Sequence, residues 1–185
     1  MGTGKVQETL RRLSKDLEQE GIEYAIIGGM ALNVHGYKRE TVDVDVLVRP
    51  DGLQAFHDRL IGRGYAVAFS GARKTFKDTR TGVKVEFITA GEYPGDGKPK
   101  PVAFPDPSAV ATQVEELKVV DLPTLITLKL ASGMTNAGRL RDLADVQELI
   151  RVLKLPADYA QNLNPFVRPK FEELHGSLVD TAGEE

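Results

Sequence analysis

The stretch from Tyr24 to Val48, YAIIGGMALNVHGYKRETVDVDVLV, constrains the fold more than any other. An apolar strand from Tyr24 to Ile27 runs into Gly28-Gly29, a short helical turn follows, and a second strand carries Asp43 and Asp45 among Val42, Val44 and Val46. Successive strand side chains point to opposite faces, so the two aspartates share one face and the valines the other. At an effective dielectric of 20, two unit charges about 4 Å apart repel by roughly 4 kcal/mol, so such a pair held in a pocket calls for a cation. A divalent metal is the simplest candidate. The competing reading is a solvent-facing edge strand with no function.

The rest of the chain supplies a scaffold. Thr9 to Gln19 reads as an amphipathic helix with Leu10, Leu13 and Leu17 on one stripe, ended by Gly21. MGTGK at the start lacks the spacing and the preceding strand of a phosphate loop and reads as a frayed terminus. Arg49-Pro50-Asp51-Gly52 is a turn, and Leu53, Phe56, Leu60 and Ile61 give a helix ending near Gly62 to Gly64. Tyr65 to Phe69, Lys74 to Asp78 and Val83 to Ile88 read as strands, the last with Glu86 on the face opposite Val83, Val85 and Phe87. If that strand lies beside the aspartate strand, three carboxylates converge.

Glycine and proline crowd Ala90 to Ser108, which reads as a long loop and a candidate lid. Leu117 to Val120 is one more candidate strand. Asp121 caps a helix from Leu122 to Ser132, Gly133 to Gly138 breaks the chain, and a well-patterned helix runs from Leu140 to Leu153. Weak helices around Tyr159 and from Pro165 to Leu174 precede a tail, GSLVDTAGEE, expected to be mobile. The expected architecture is α/β (α+β), a small mixed or antiparallel sheet flanked by helices with a helical carboxyl-terminal part. The expected domain spans residues 1–155, with 156–185 as an extension.

Composition narrows the class. With 185 residues, 41% apolar, the chain is long enough for one ordinary core and too short for a second catalytic domain. A net charge of −3 gives no global pull towards nucleic acid, so a polyanion would have to meet a local patch. Arg73, Lys74, Lys77, Arg80 and Lys84 form the densest basic stretch and are candidates for holding an RNA acceptor, or else a solvated edge. There is no cysteine, which excludes disulfides and thiol ligands. No apolar run approaches the ~20 residues of a membrane span, and the amino terminus lacks a leader's apolar stretch, so a cytoplasmic protein without membrane contact is expected. His35, His57 and His175 are too scattered for a zinc site.

Gly28-Gly29, Asp43-Val44-Asp45 about a dozen residues on, and Glu86 in a later strand together resemble the polymerase-β-like nucleotidyltransferase superfamily. GGMALNVHGYKRETVDVDVLV is similar to the small stand-alone bacterial members, including the abortive-infection type toxins. The likeness covers roughly Tyr24 to Ile150. It implies that Gly28 and Gly29 open a helix facing a nucleoside triphosphate. Asp43, Asp45 and Glu86 would hold two Mg2+ ions, with Mn2+ as the alternative, for in-line attack of a hydroxyl on the α-phosphorus. Arg39 and Thr41 are candidates for phosphate contact, with a turn and a solvated arginine as the plainer alternative. The later helices implied by the likeness are LPTLITLKLAS, which places Lys129 as a nucleotide ligand, and RLRDLADVQELI, with Arg141, Asp142 and Asp145 as supports.

From the residues alone, Lys129 falls on an apolar helix face, where it either snorkels or meets a buried anion. Arg141 and Asp145 would make an exposed pair, and Asp142 and Asp145 would form a solvated face. Met30 departs from the glycine-serine of many members and leaves phosphate contact to backbone N–H groups. Expected partners are a nucleoside triphosphate, an acceptor on RNA, protein or a small molecule, and a cognate antitoxin. The alternative is a non-catalytic nucleotide- or partner-binding module on the same fold; a metal nuclease ranks below both.

Overall fold

The computed structural model describes residues 2–183, so Met1 of the expected frayed start and Glu184 and Glu185 of the expected mobile tail lie outside the described residues. The chain packs as two units. Of the described residues, the first comprises 2–34, 38–91 and 105–121, the second 35–37, 92–104 and 122–183.

The first unit is built on a seven-stranded mixed sheet. Its strands are β1 (Tyr24–Ile27), β2 (Asp43–Val48), β3 (Tyr65–Val67), β4 (Thr75–Asp78), β5 (Lys84–Thr89), β6 (Ala111–Val114) and β7 (Leu117–Val120), in the order β3-β4-β5-β2-β1-β7-β6. β2 runs parallel to β5 and β1 parallel to β7; every other pairing is antiparallel. The alternation that marks the strands also decides which way they face. Val44, Val46 and Val48 of β2, Val85 and Phe87 of β5, Phe76 of β4 and Tyr24 and Ile26 of β1 are buried together, in register, on one side of the sheet.

Two helices complete that core. α1 (Gly2–Gln19) contributes Val6, Leu10, Leu13 and Leu17, all buried at helical spacing. It starts well before Thr9 because Val6 prolongs the apolar stripe by a turn, so the residues after Met1 are helical rather than frayed. It ends where Gly21 adopts φ +67° and the Ile22 N–H donates to Leu17 O. α3 (Pro50–Leu60) inserts Phe56 among Tyr65, Phe76 and Phe87, with ring centroids 5.3, 4.8 and 4.5 Å away.

One buried charge ties α1 to the sheet. Asp78 is fully buried and accepts hydrogen bonds from Thr9 Oγ1 (3.0 Å), Arg12 Nη1 (2.8 Å) and both the backbone N–H and Nε of Arg80. Burial alone would raise its pKa. The hydrogen bonds from Arg80 and Thr9, with the charge of Arg12, outweigh that and hold it below the ordinary aspartate value.

β6 and the short helix α4 (Pro107–Val110) before it were not expected. Asp106 caps α4 by accepting from the Ser108 N–H. β6 shows little burial, and its hairpin turns through Glu115 in the left-handed region, φ 54°, without the Asn-Gly signal that marks most tight hairpins.

The second unit is helical: α5 (Leu122–Thr135), α6 (Leu140–Leu153) and α7 (Arg168–Ala182), with 3-10 turns at Ala137–Arg139 and Ala157–Asn162. Residues 156–183 belong to it together with α5 and α6. Gly133, expected to open a break in the chain, instead sits inside α5. A Cβ there would lie 2.5 Å from Leu143 Cγ, so the glycine is a notch that lets α6 approach. The tail expected to be mobile continues α7 to Ala182. The glycine-proline loop is fastened rather than loose: the Lys100 side chain, 6% exposed, donates to Pro94 O, Asp96 Oδ1 and Lys98 O, each at 2.7 Å, and Asn136 Nδ2 donates to Gly95 O. Among the described residues, no helix is long and apolar enough to cross a membrane.

Because the folded pKa of Asp78 is lowered, the stability it supplies is present above about pH 4, its unfolded value, and is lost as pH falls through the folded value. Asp78→Asn is expected to cost about 2–3 kcal/mol at neutral pH. It should also flatten the loss of stability below pH 4, read from thermal unfolding midpoints between pH 6 and pH 2.5.

Candidate active site

The face of the sheet opposite the aromatic core carries the polar residues of β2 and β5. Parallel pairing sets Asp43 opposite Lys84 and Asp45 opposite Glu86, and partners in register share a face. Asp43, Asp45 and Glu86 are therefore brought together, as expected, by the burial of Val44, Val46, Val85 and Phe87 behind them. Val42 does not share in that burial: it precedes β2 and is 64% exposed.

Lys84 joins the three carboxylates. Its Nζ lies 3.2 Å from Asp43 Oδ2 and 3.6 Å from Glu86 Oε2, and the three side chains are 44%, 34% and 46% exposed. Burial lowers the lysine's pKa, but the hydrogen bond and charge of Asp43 and the charge of Glu86 win, and it rises overall. Among the described residues, no three or more histidine, cysteine or carboxylate side chains are placed so that together they could hold a metal ion. The basic stretch expected to act together is divided by strand alternation. Lys77 and Lys84, paired in register, lie on the carboxylate face, whereas Arg80 binds Asp78 and Lys74 Nζ donates to Thr89 Oγ1.

The two glycines are required by contact. α2 (Gly28–His35) follows β1 directly. Gly28 has φ +70°, and a Cβ there would sit 2.2 Å from Asp45 Oδ2, so the chain passes against the carboxylate where only glycine fits. A Cβ on Gly29 would lie 2.9 Å from Thr41 Oγ1 and 3.9 Å from Arg39 Nη2. Arg39 and Thr41 thus stand at the helix start beside the glycines. Thr41 Oγ1 donates to Asp43 O (3.2 Å), linking the loop to β2. Asn33, which sequence reasoning missed, anchors the same loop. Its Oδ1 accepts from the Arg39 N–H (2.7 Å) and its carbonyl from Lys38 Nζ (2.9 Å).

Met30 is buried, so its side chain serves packing, and the backbone N–H groups at the start of α2 are what the turn presents. Of the histidines, His57 Nε2 pairs with Arg73 O and packs edge-on against Phe76, a structural part.

Lys129, Asp142 and Asp145 belong to the second unit, where they form a buried cluster. Lys129 Nζ donates to Asp142 Oδ1 (3.0 Å) and Asp145 Oδ2 (2.9 Å). Ser132 Oγ and Arg139 Nε donate to Asp142 Oδ2. Lys129 therefore meets buried anions instead of snorkelling. Asp142 and Asp145 are not on a solvated face, while Arg141 is exposed. Burial pushes the Asp142 carboxyl up, but Lys129, Ser132 and Arg139 together hold it below its usual value. Ser132 and Arg139 were missed, although Ser132 lies one helical turn from Lys129.

Gly28→Ala is expected to cost about 1–2 kcal/mol from the left-handed backbone alone and to push Asp45 aside. Thermal unfolding should show the first effect and a crystal structure of the variant the second. Lys129→Met strands two buried carboxylates and should cost about 3–5 kcal/mol in denaturant unfolding; Lys129→Met with Asp142→Asn and Asp145→Asn should recover part of it.

The family model described as uncharacterised nucleotidyltransferase matches residues 3–165. No curated protein matches the chain. Among solved structures, an antigenic nucleotidyltransferase-like protein from Paracoccidioides brasiliensis is similar over 100% of this chain and 91% of its own, at 17% identity and TM-score 0.60. The antibiotic-resistance factor ANT(2'')-Ia is similar in its solution structure over 100% of this chain and 96% of its own, at 11% identity and TM-score 0.57. Its crystal structure with adenylyl-2''-tobramycin is similar over 92% of this chain and 98% of its own, at 10% identity and TM-score 0.55. These likenesses extend to the fold, and the match over residues 3–165 makes the chain a member of the uncharacterised nucleotidyltransferase family.

Proposed function

We propose that the protein transfers a nucleoside monophosphate from a nucleoside triphosphate to a hydroxyl acceptor in a divalent-metal-dependent reaction. The observation that carries this reading is the register of β2 and β5, which gathers Asp43, Asp45 and Glu86 on one face, with the Gly28 turn against Asp45. Family membership and fold support it.

The donor set fits Mg2+ or Mn2+ in kind: three hard carboxylate oxygens from neighbouring strands, already neutralised in part by a stand-in cation, the Lys84 ammonium. Asp43, Asp45 and Glu86 would hold the metal, which when bound acidifies the acceptor hydroxyl and offsets charge on the departing pyrophosphate. The backbone N–H groups at the start of α2, with Arg39 beside Gly29, receive the triphosphate. Glu86 takes the acceptor's proton as its oxygen bonds to the α-phosphorus, and the bond from that phosphorus to the pyrophosphate oxygen breaks. Lys129, Asp142 and Asp145 fix α5 to α6 within the second unit.

For the acceptor we infer RNA. Lys77 is exposed on the face that carries Glu86 and stands outside the Lys84 ion pairs, so once a bound metal offsets the three carboxylates it is available to an acceptor's phosphate. A place in a toxin–antitoxin pair rests on the sequence resemblance alone.

Incubation with α-labelled nucleoside triphosphates, Mg2+ and total RNA, protein extract or tobramycin should label RNA. Asp45→Asn should reduce labelling at least about 10³-fold while keeping the wild-type unfolding midpoint within a few degrees. Labelling retained in Asp45→Asn would overturn the site. Absence of labelling, with no stabilisation by any triphosphate plus Mg2+, would favour the non-catalytic binding module.

A further inference from the structure

Lys84 precedes Glu86 by two residues on β5 and faces Asp43 across the parallel ladder, so strand geometry alone directs its ammonium at the carboxylate face. Its Nζ bridges Asp43 and Glu86 from adjacent strands at 3.2 and 3.6 Å. It differs from the carboxylates around it: an ammonium on a long flexible stem, nearly half exposed, and able to swing clear without disturbing the core. While the ammonium holds those two carboxylates, their oxygens are committed and a divalent ion entering between them meets a like charge.

We propose that Lys84 is a resident counter-ion of the carboxylate site, which keeps Asp43 and Glu86 paired when no metal is present and must withdraw for a divalent ion to be held there. The proposal rests on the metal reading of Asp43, Asp45 and Glu86. It assigns Lys84 a part in setting metal affinity instead of touching the reacting atoms. Lys77, its register partner on β4, lies on the same face, whereas the ion pairs of Asp43 and Glu86 are with Lys84. It therefore serves as the control lysine.

The test is binding of Mn2+ alone to the full chain, followed by the loss of the free-ion electron paramagnetic resonance signal. Lys84→Met should bind Mn2+ at least about tenfold more tightly than wild type. Lys84→Arg and Lys77→Met should stay within about threefold of it, and Asp45→Asn should lose binding. If the methionine variant does not fold, Lys84→Gln supplies the same contrast. Unchanged or weaker binding by the folded Lys84 variants, with binding still lost in Asp45→Asn, would overturn the counter-ion role and leave the metal site standing. No Mn2+ binding by wild type or Lys84→Met at millimolar metal would overturn the metal reading and this inference with it.

Discussion

The parallel pairing of β2 with β5 is the constraint on which the rest depends. Neither strand carries a complete site. Burial of Val44 and Val46 on one side and of Val85 and Phe87 beside them fixes which residues turn away, and the hydrogen-bonded register decides that Asp45 meets Glu86 and Asp43 meets Lys84. A slip of one residue would send every one of these side chains to the opposite face. The aromatic cluster around Phe56 and the fully buried Asp78 are therefore indirect determinants of the carboxylate face, since both hold β4 and β5 against the helices behind them.

The two sets of charges in the chain solve the same electrostatic problem in different surroundings. Around Asp78 and around Lys129, each buried carboxylate is met by fixed donors, so the charge is held and the helices are tied. On the carboxylate face the groups are partly exposed and share one flexible lysine. Ion pairs of the first kind resist replacement because removing one partner strands the other in a poor solvent for charge. A pair of the second kind exchanges readily, because its partners are solvated when they part.

Much of the site was legible in the sequence because period-two alternation is a local signal. Asp43, Asp45 and Glu86 announce their face through the valines between them, and Gly28-Gly29 through position before a helix. What was not legible depended on contacts between distant residues. Gly133 looks like a breaker in isolation and is a packing notch only because Leu143 approaches it. Lys84 looks like one member of a basic run until the register sets it opposite Asp43. The edge strand β6 lacks both apolar alternation and a recognisable turn pair. Asp142 and Asp145 read as solvated because helical periodicity cannot say that Lys129 of another helix will come to meet them.

The ladder that joins Asp43 to Lys84 closes a loop of about forty residues, containing α3 and the strands β3 and β4. Closing so long a stretch has an entropic cost that local contacts do not repay until the intervening elements have formed. During synthesis or refolding, the hairpin of β3 and β4 and the packing of Phe56 can form early, but the carboxylate face has no counterpart in any local fragment. The carboxylate face is consequently assembled only by a non-local pairing, and a partly folded molecule lacks it.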